Sequence, residues 1–166
     1  MSIVSCDLDR NENENYLYNN DAITERVKIN IEEAKAMSDI SMLNETIIAL
    51  SRLSLEKTSA YRVKTISYKL KKDNIELKKN LNDLAKKKLI LLPIKLDDKE
   101  MNELSKIDEA GFSEAYLNKV KELLEREITE LEYLSAITND LDFKVLTVRS
   151  LVKLNYNLNQ VQKILK

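Results

Sequence analysis

The sequence predicts an all-α protein built as a bundle of long helices, on three observations. One glycine and one proline in 166 residues leave little material for hairpins or phosphate-cradling loops. Leucine, lysine, glutamate and asparagine dominate the composition, and the first three are good helix formers. From Ser59 to Lys88 the apolar residues Val63, Leu70, Leu77 and Leu84 recur every seven residues, a spacing that lays one stripe along a helix. At about 1.5 Å per residue this helix is ~45 Å long. Its stripe buries too little apolar surface to offset the entropy of ordering thirty residues, so the helix requires partners.

Residues 1–20 form a polar tract expected to be a disordered N-terminal tether, and residues 21–166 a single helical domain. Asp21 offers an N-cap, after which Ile23, Val27, Ile31 and Ala34 follow a helical period. Ser38 and Asp39 either interrupt that helix or mark its exposed side. A stronger stripe, Leu43, Ile47, Leu50 and Leu53, ends near Thr58, and Ser59 is expected to cap the next helix, making an antiparallel hairpin. After Lys88 the run Leu89 to Leu96 holds Pro93, which cannot continue a helix, so it reads as extended chain along the bundle. Asp97 to Glu100 resembles a capping box opening a short helix to about Ile107, and Gly111 is expected in the turn before the next long helix.

Ser113 to Thr138 carries Tyr116, Val120, Leu123, Leu124, Leu131 and Leu134 on one face, with Glu127 inside it. Asn139-Asp140 breaks and recaps the chain. The last helix, Leu141 to Leu165, shows a stripe of Val145, Val148, Leu151, Leu154, Leu158 and Val161. Four long helices and one short one are therefore expected. The 24 residues from Leu89 to Phe112 are long enough to cross the bundle from end to end without being required to.

Several classes of function are disfavoured by composition. Histidine is absent, which removes the commonest general base and the commonest transition-metal ligand together. One cysteine makes neither an internal disulfide nor a thiolate cluster. No metal ligand set, cofactor motif or catalytic residue stands out. No run of 18 apolar residues is present, so attachment to a membrane is expected only through Cys6.

A net charge of -1 argues against nucleic acid as partner, although the charge is unevenly placed. From Lys57 to Lys88 there are eleven Lys/Arg against Asp73, Glu76 and Asp83; from Asp97 to Asp142 there are fourteen acids against five bases. Lys64, Lys71 and Lys78 form one file at heptad spacing. They make either an anion-binding face for lipid or glycan or, as favoured here, a solvated basic helix beside an acidic one.

Ile3-Val4-Ser5-Cys6 resembles the end of a bacterial lipoprotein signal, in which the cysteine is lipidated, and Asp7 and Asp9 behind it resemble surface-lipoprotein leaders. No charged region and apolar run precede Cys6 in this sequence. An ordinary thiol on a disordered tail is the alternative.

Two patches resemble a bacterial family, domain of unknown function 4142. The first is Leu53 to Ser59, Val63, Lys71 to Asn74, Leu81, Leu84-Ala85 and Leu92-Pro93; the second is Phe112 to Leu117, Asp142 to Lys144 and the closing helix. The resemblance implies a ferritin-like four-helix bundle with a crossover connection carrying a short extra helix, exported to the periplasm or outer membrane. It also aligns the family's histidines with Asn74, Leu124 and Asn157, so this chain lacks the side chains of a Glu-x-x-His metal centre.

Asn74 and Glu127 are the polar seam candidates. Either they are remnants of an interior polar site, or Asn74 sets register and Glu127 lies at the stripe edge, reaching water or a lysine. On the second, favoured view, Asn74→Leu leaves the fold intact and raises or barely changes the melting temperature. The expected function is a non-enzymatic, tethered binding or structural module of the cell envelope. A metal or redox protein with an atypical carboxylate site is the alternative, and a module using the lysine file on anionic surfaces a third.

Overall fold

A computed structural model describes the backbone of residues 11–93 and 99–166 and the side chains of residues 23–93 and 99–166. It holds five helices and, among the described residues, no strand: α1 (Asn11–Lys57), α2 (Tyr61–Lys88), α3 (Lys99–Ser105), α4 (Glu109–Ile137) and α5 (Leu141–Leu165). Cys6 lies outside the described residues, as does the expected capping box at Asp97 and Asp98.

α1 packs on α2 and α4, and α5 packs on both as well, so the four long helices occupy the corners of a square in the order α1, α2, α5, α4. The ends give their directions. Thr58 at the end of α1 meets Ser113 near the start of α4 through their hydroxyls at 2.7 Å, whereas Thr138, just past α4, donates to Glu33 of α1 at 2.5 Å. Lys88 at the end of α2 is paired with Asp140 and Asp142 at the start of α5. Neighbours are therefore antiparallel. α2 ends at one end of the bundle and α4 begins at the other, so the chain between them crosses its length, as in bundles with one long crossover connection.

The core is the set of stripes legible in the sequence. Ile40, Leu43, Ile47 and Leu50 of α1 interleave with Val63, Ile66, Leu70, Leu77, Leu81 and Leu84 of α2 and with Tyr116, Val120, Leu123, Leu124, Leu131 and Leu134 of α4. Phe112 and Tyr116 stack with ring centroids 6.2 Å apart. On the crossover, Ile90 and Leu92 pack against this core while Leu89 and Leu91 face solvent, the alternation of an extended segment. Lys57 donates to the carbonyls of Ser105 (2.6 Å) and Ile107 (2.8 Å), closing the open end of α3.

Several expectations are corrected. Ser38 and Asp39 do not interrupt α1, and residues 11–20 of the expected tether belong to that helix. Ile23, Val27 and Ile31 do not reach a core. The other helices end near the level of Glu33, so the first part of α1 projects past them with these side chains exposed. Ser59 does not cap α2; Ala60 occupies that position without a side-chain bond. Gly111 lies inside the first turn of α4, where its N–H is accepted by the true cap, Asp108, at 2.9 Å.

On α5 the expected stripe combines two faces. Phe143, Leu146, Thr147, Ser150, Leu154, Asn157 and Val161 point inward, whereas Val145 and Val148 point out. Asp140 caps this helix by accepting from the N–H groups of Asp142 and Phe143, and its pairing with Lys88 holds its carboxyl below the usual range. That clamp is compatible with the rotation of α5 that places Phe143 inside.

The residue that needs a left-handed backbone is Leu89, with φ 58°. Its N–H and that of Ile90 return to the carbonyls of Lys86 and Ala85, the Schellman closure of α2. Because the Leu89 side chain is exposed, Leu89→Gly should relieve the left-handed strain without losing packing. After the entropy gained by the unfolded chain is subtracted, a net stabilisation of about 0.5–1 kcal/mol is expected in chemical denaturation.

Candidate functional site

Halfway along the bundle the apolar core is interrupted by polar side chains from all four long helices. Asn44 of α1 donates from Nδ2 to Asn74 Oδ1 of α2 at 2.8 Å, and Asn74 Nδ2 donates to the Leu70 carbonyl at 2.9 Å. Glu127 of α4 is fully buried, with Asn44 beside its carboxyl. Asn157 of α5 donates to Asp73 Oδ2 of α2 at 2.9 Å, and Lys69 reaches the same oxygen at 2.6 Å. Each position belongs to an otherwise apolar 3–4 spacing, which is why the helices point these polar groups inward.

Among the described residues, four buried side-chain atoms lack a hydrogen-bond partner: Asn44 Oδ1, both carboxyl oxygens of Glu127, and Asn157 Oδ1. All are oxygens, and all lie in this layer. Burial pushes the Glu127 pKa up to about 8, with Asn44 easing the shift. The acid is therefore predominantly neutral at pH 7. A neutral carboxyl carries a donor, and Asn44 Oδ1 is an unpartnered acceptor in the same layer. Protonation thus lets Glu127, Asn44, Asn74 and the Leu70 carbonyl form one directed chain of donors across α4, α1 and α2.

Near the end of the bundle where α1 and α4 meet, a second buried group joins Ser51 to the Tyr116 hydroxyl (3.3 Å) and Ser54 to Ser67 (2.8 Å). Burial raises the Tyr116 pKa, so the phenol stays neutral. Neither layer presents a nucleophile beside a base. For a metal, the mid-bundle donor set is the Glu127 carboxyl and amide oxygens, with Asp73 at the rim already held by Lys69 and Asn157.

The structure brings Asn74 and Glu127 to one layer and corrects the favoured account of Glu127. Glu127 is not at the edge of its stripe and reaches neither water nor a lysine. Asn74 has an obligatory partner in Asn44, a residue the apolar stripe of α1 concealed. The available signal was the run Asn44, Ser51, Ser54 and Thr58, polar residues at helical spacing beside the apolar ones.

The lysine file lies on the outer side of α2. Lys78 is paired with Glu45 of α1, Lys71 lies over the Tyr68 ring at 5.7 Å, and Lys64 is exposed. Acidic α4 does not lie beside α2, because the two stand on the diagonal; the acids facing α2 come from α1 and from the start of α5.

Fold and site together define a helical crossover bundle with a buried, acid-containing polar layer. The profile of the family described as Domain of unknown function (DUF4142) matches residues 20–164, so the chain belongs to that family. No curated protein and no solved structure matches the chain.

Two predictions test the layer. Glu127 has a folded-state pKa above its unfolded one, so its contribution is fully present below about pH 4.5 and is lost as pH rises towards 8. Glu127→Gln keeps a donor for Asn44 without ionising. It should match the parent near pH 4 and exceed it by on the order of 3 kcal/mol at pH 7, read as the difference between denaturation curves. Asn74→Leu should destabilise by about 1–3 kcal/mol, not raise the melting temperature, because it leaves the Asn44 amide without its acceptor. Combining it with Asn44→Leu should cost at least about 1 kcal/mol less than the sum of the single changes, measured as a double-mutant cycle.

Proposed function

We propose that this protein is a non-enzymatic helical module of the bacterial cell envelope, tethered through a lipid on Cys6 and acting by contact through its outer surface. The observation that carries the proposal is the two-faced α5. Its inner face fills the core, while Leu141, Val145, Val148, Val152 and Tyr156 form a line of exposed apolar side chains on its outer face. The interior polar groups Asn44, Asn74, Glu127 and Asn157, by contrast, are closed off from solvent. The resemblance of Ile3 to Cys6 to a lipoprotein leader, and the export of the family it resembles, support the tether.

A ferritin-like metal or redox protein with an atypical carboxylate site is the reading from another class, and Glu127 is the buried acid it would use. Two measurements test the proposal. In cells making the naturally encoded protein, the chain should fractionate with membranes, and Cys6→Ser should release it to the soluble fraction. Purified protein should contain less than a tenth of an equivalent of iron or manganese by elemental analysis; a stoichiometric amount of either would overturn the non-enzymatic assignment in favour of the metal protein.

A further inference from the structure

Two apolar stripes are without partners among the described residues, and they match. On α5, Leu141, Val145, Val148 and Val152 succeed one another at spacings of four, three and four residues, with exposures of 74%, 41%, 58% and 70%, and Tyr156 continues the line at 53%. This is the spacing of a helix–helix seam. Val148 and Val152 also line a groove of about 440 Å³ between α5 and α2, floored by Leu77 and Leu154 and edged by Arg149 and Lys153. The second stripe is Ile23, Val27 and Ile31 on the projecting part of α1, exposed by 60%, 52% and 64%.

Within one chain the two cannot meet. α1 continues straight past the end of the bundle, and α5 stands on the corner diagonal to it. Between two chains they can meet twice.

We infer that the protein forms a two-fold symmetric dimer in which the projecting part of α1 from each copy lies along the outer face of α5 of the other. This rests on the surface-acting module proposed above. The two bundles abut at the ends where α5 begins, each displaced sideways by about one helix diameter, ~10 Å. α1 of one copy then runs antiparallel to α5 of its partner. Ile31, level with the end of its own bundle, falls opposite Leu141 of the partner subunit. Four residues are ~6 Å of helix rise, so Val27 falls opposite Val145 of the partner subunit, and Ile23 opposite Val148 of the partner subunit. The same rotation brings the reciprocal pair together, so the contact is isologous and closes at two.

Charge favours this pairing over α5 against α5. The described residues 23–32 of α1 carry Glu25 and Glu32 against Arg26 and Lys28. Residues 141–165 of α5 carry Lys144, Arg149, Lys153 and Lys163 against Asp142. A charge-balanced segment thus meets a basic one, whereas two α5 helices would set like charges together. The area also suffices. The exposed parts of the six side chains placed opposite one another amount to on the order of 600 Å² per copy, and the flanking residues covered with them bring the contact towards the ~800 Å² that each partner of an ordinary stable interface buries.

Sedimentation equilibrium of the full chain from 1 to 100 μM tests this. The expected mass is twice 19.2 kDa, and Val27→Asp and Val148→Asp should each weaken dimerisation by at least 100-fold. Both positions are solvent-exposed in the single chain, so the bundle should stay folded, which far-ultraviolet circular dichroism checks. In a Cys6→Ser background, an equimolar mixture of the Val27→Cys and Val145→Cys proteins should oxidise chiefly to the mixed disulfide, identified by mass. A monomer at 100 μM would overturn the inference. So would a dimer insensitive to Val27→Asp, or oxidation chiefly to the two symmetric disulfides. Membrane fractionation and elemental analysis do not depend on dimerisation, so failure here is distinct from failure of the envelope assignment.

Discussion

The 2.8 Å hydrogen bond from Asn44 to Asn74 sits at the centre of the contact between α1 and α2 and fixes their register. The seams on both helices repeat at near-heptad spacing, and apolar burial alone would tolerate sliding one helix past the other by a turn or two. Two buried amides remove that freedom, because any other register strands them in a core where an unpaired polar group costs about 1–3 kcal/mol. α1 also packs along α4, so the register set against α2 carries through to the Ser113 contact at one end and the Thr138 contact at the other.

Glu127 gives the same layer a different property. A carboxyl in this position is tolerated at neutral pH because it keeps its proton, which makes it a donor instead of a buried charge. It stays mostly protonated at pH 7, but its contribution to stability is full only in acid and declines as pH rises towards 8. The ion pairs at the surface work in the opposite sense, since Asp140 and Asp142 are held ionised by Lys87 and Lys88. The bundle therefore combines an interior that prefers its acid neutral with an α2–α5 clamp that needs its acids charged, and both conditions are met around neutral pH.

α5 is apolar on opposite sides, and the side holding Phe143, Leu146, Leu154 and Val161 is the inner one. With Phe143 placed in the core, Leu141, Val145, Val148 and Val152 are committed to the outside. α1 is affected similarly by its length: as a 47-residue helix of ~70 Å it outruns partners of 25 to 29 residues. Its first apolar residues are left without a core of their own. Neither exposure follows from local sequence, since both stripes have the pattern of buried seams.

Periodicity alone determined that this chain is helical, where most helices start and stop, and which residues of α2 and α4 form the core. Those features depend on residues three and four apart and on caps such as Asp140, all of them local. The Glu127 position was also legible, as an acid within an apolar stripe, although its complete burial and its raised pKa were not. The tertiary structure decided what local pattern leaves open: that α2 lies diagonal to acidic α4, that Asn44 answers Asn74, which face of α5 turns inward, and how much of α1 goes uncovered. A stripe records that a helix has a side to bury, but the surface that covers it comes from residues distant in the chain, and only the packed arrangement specifies their position and extent.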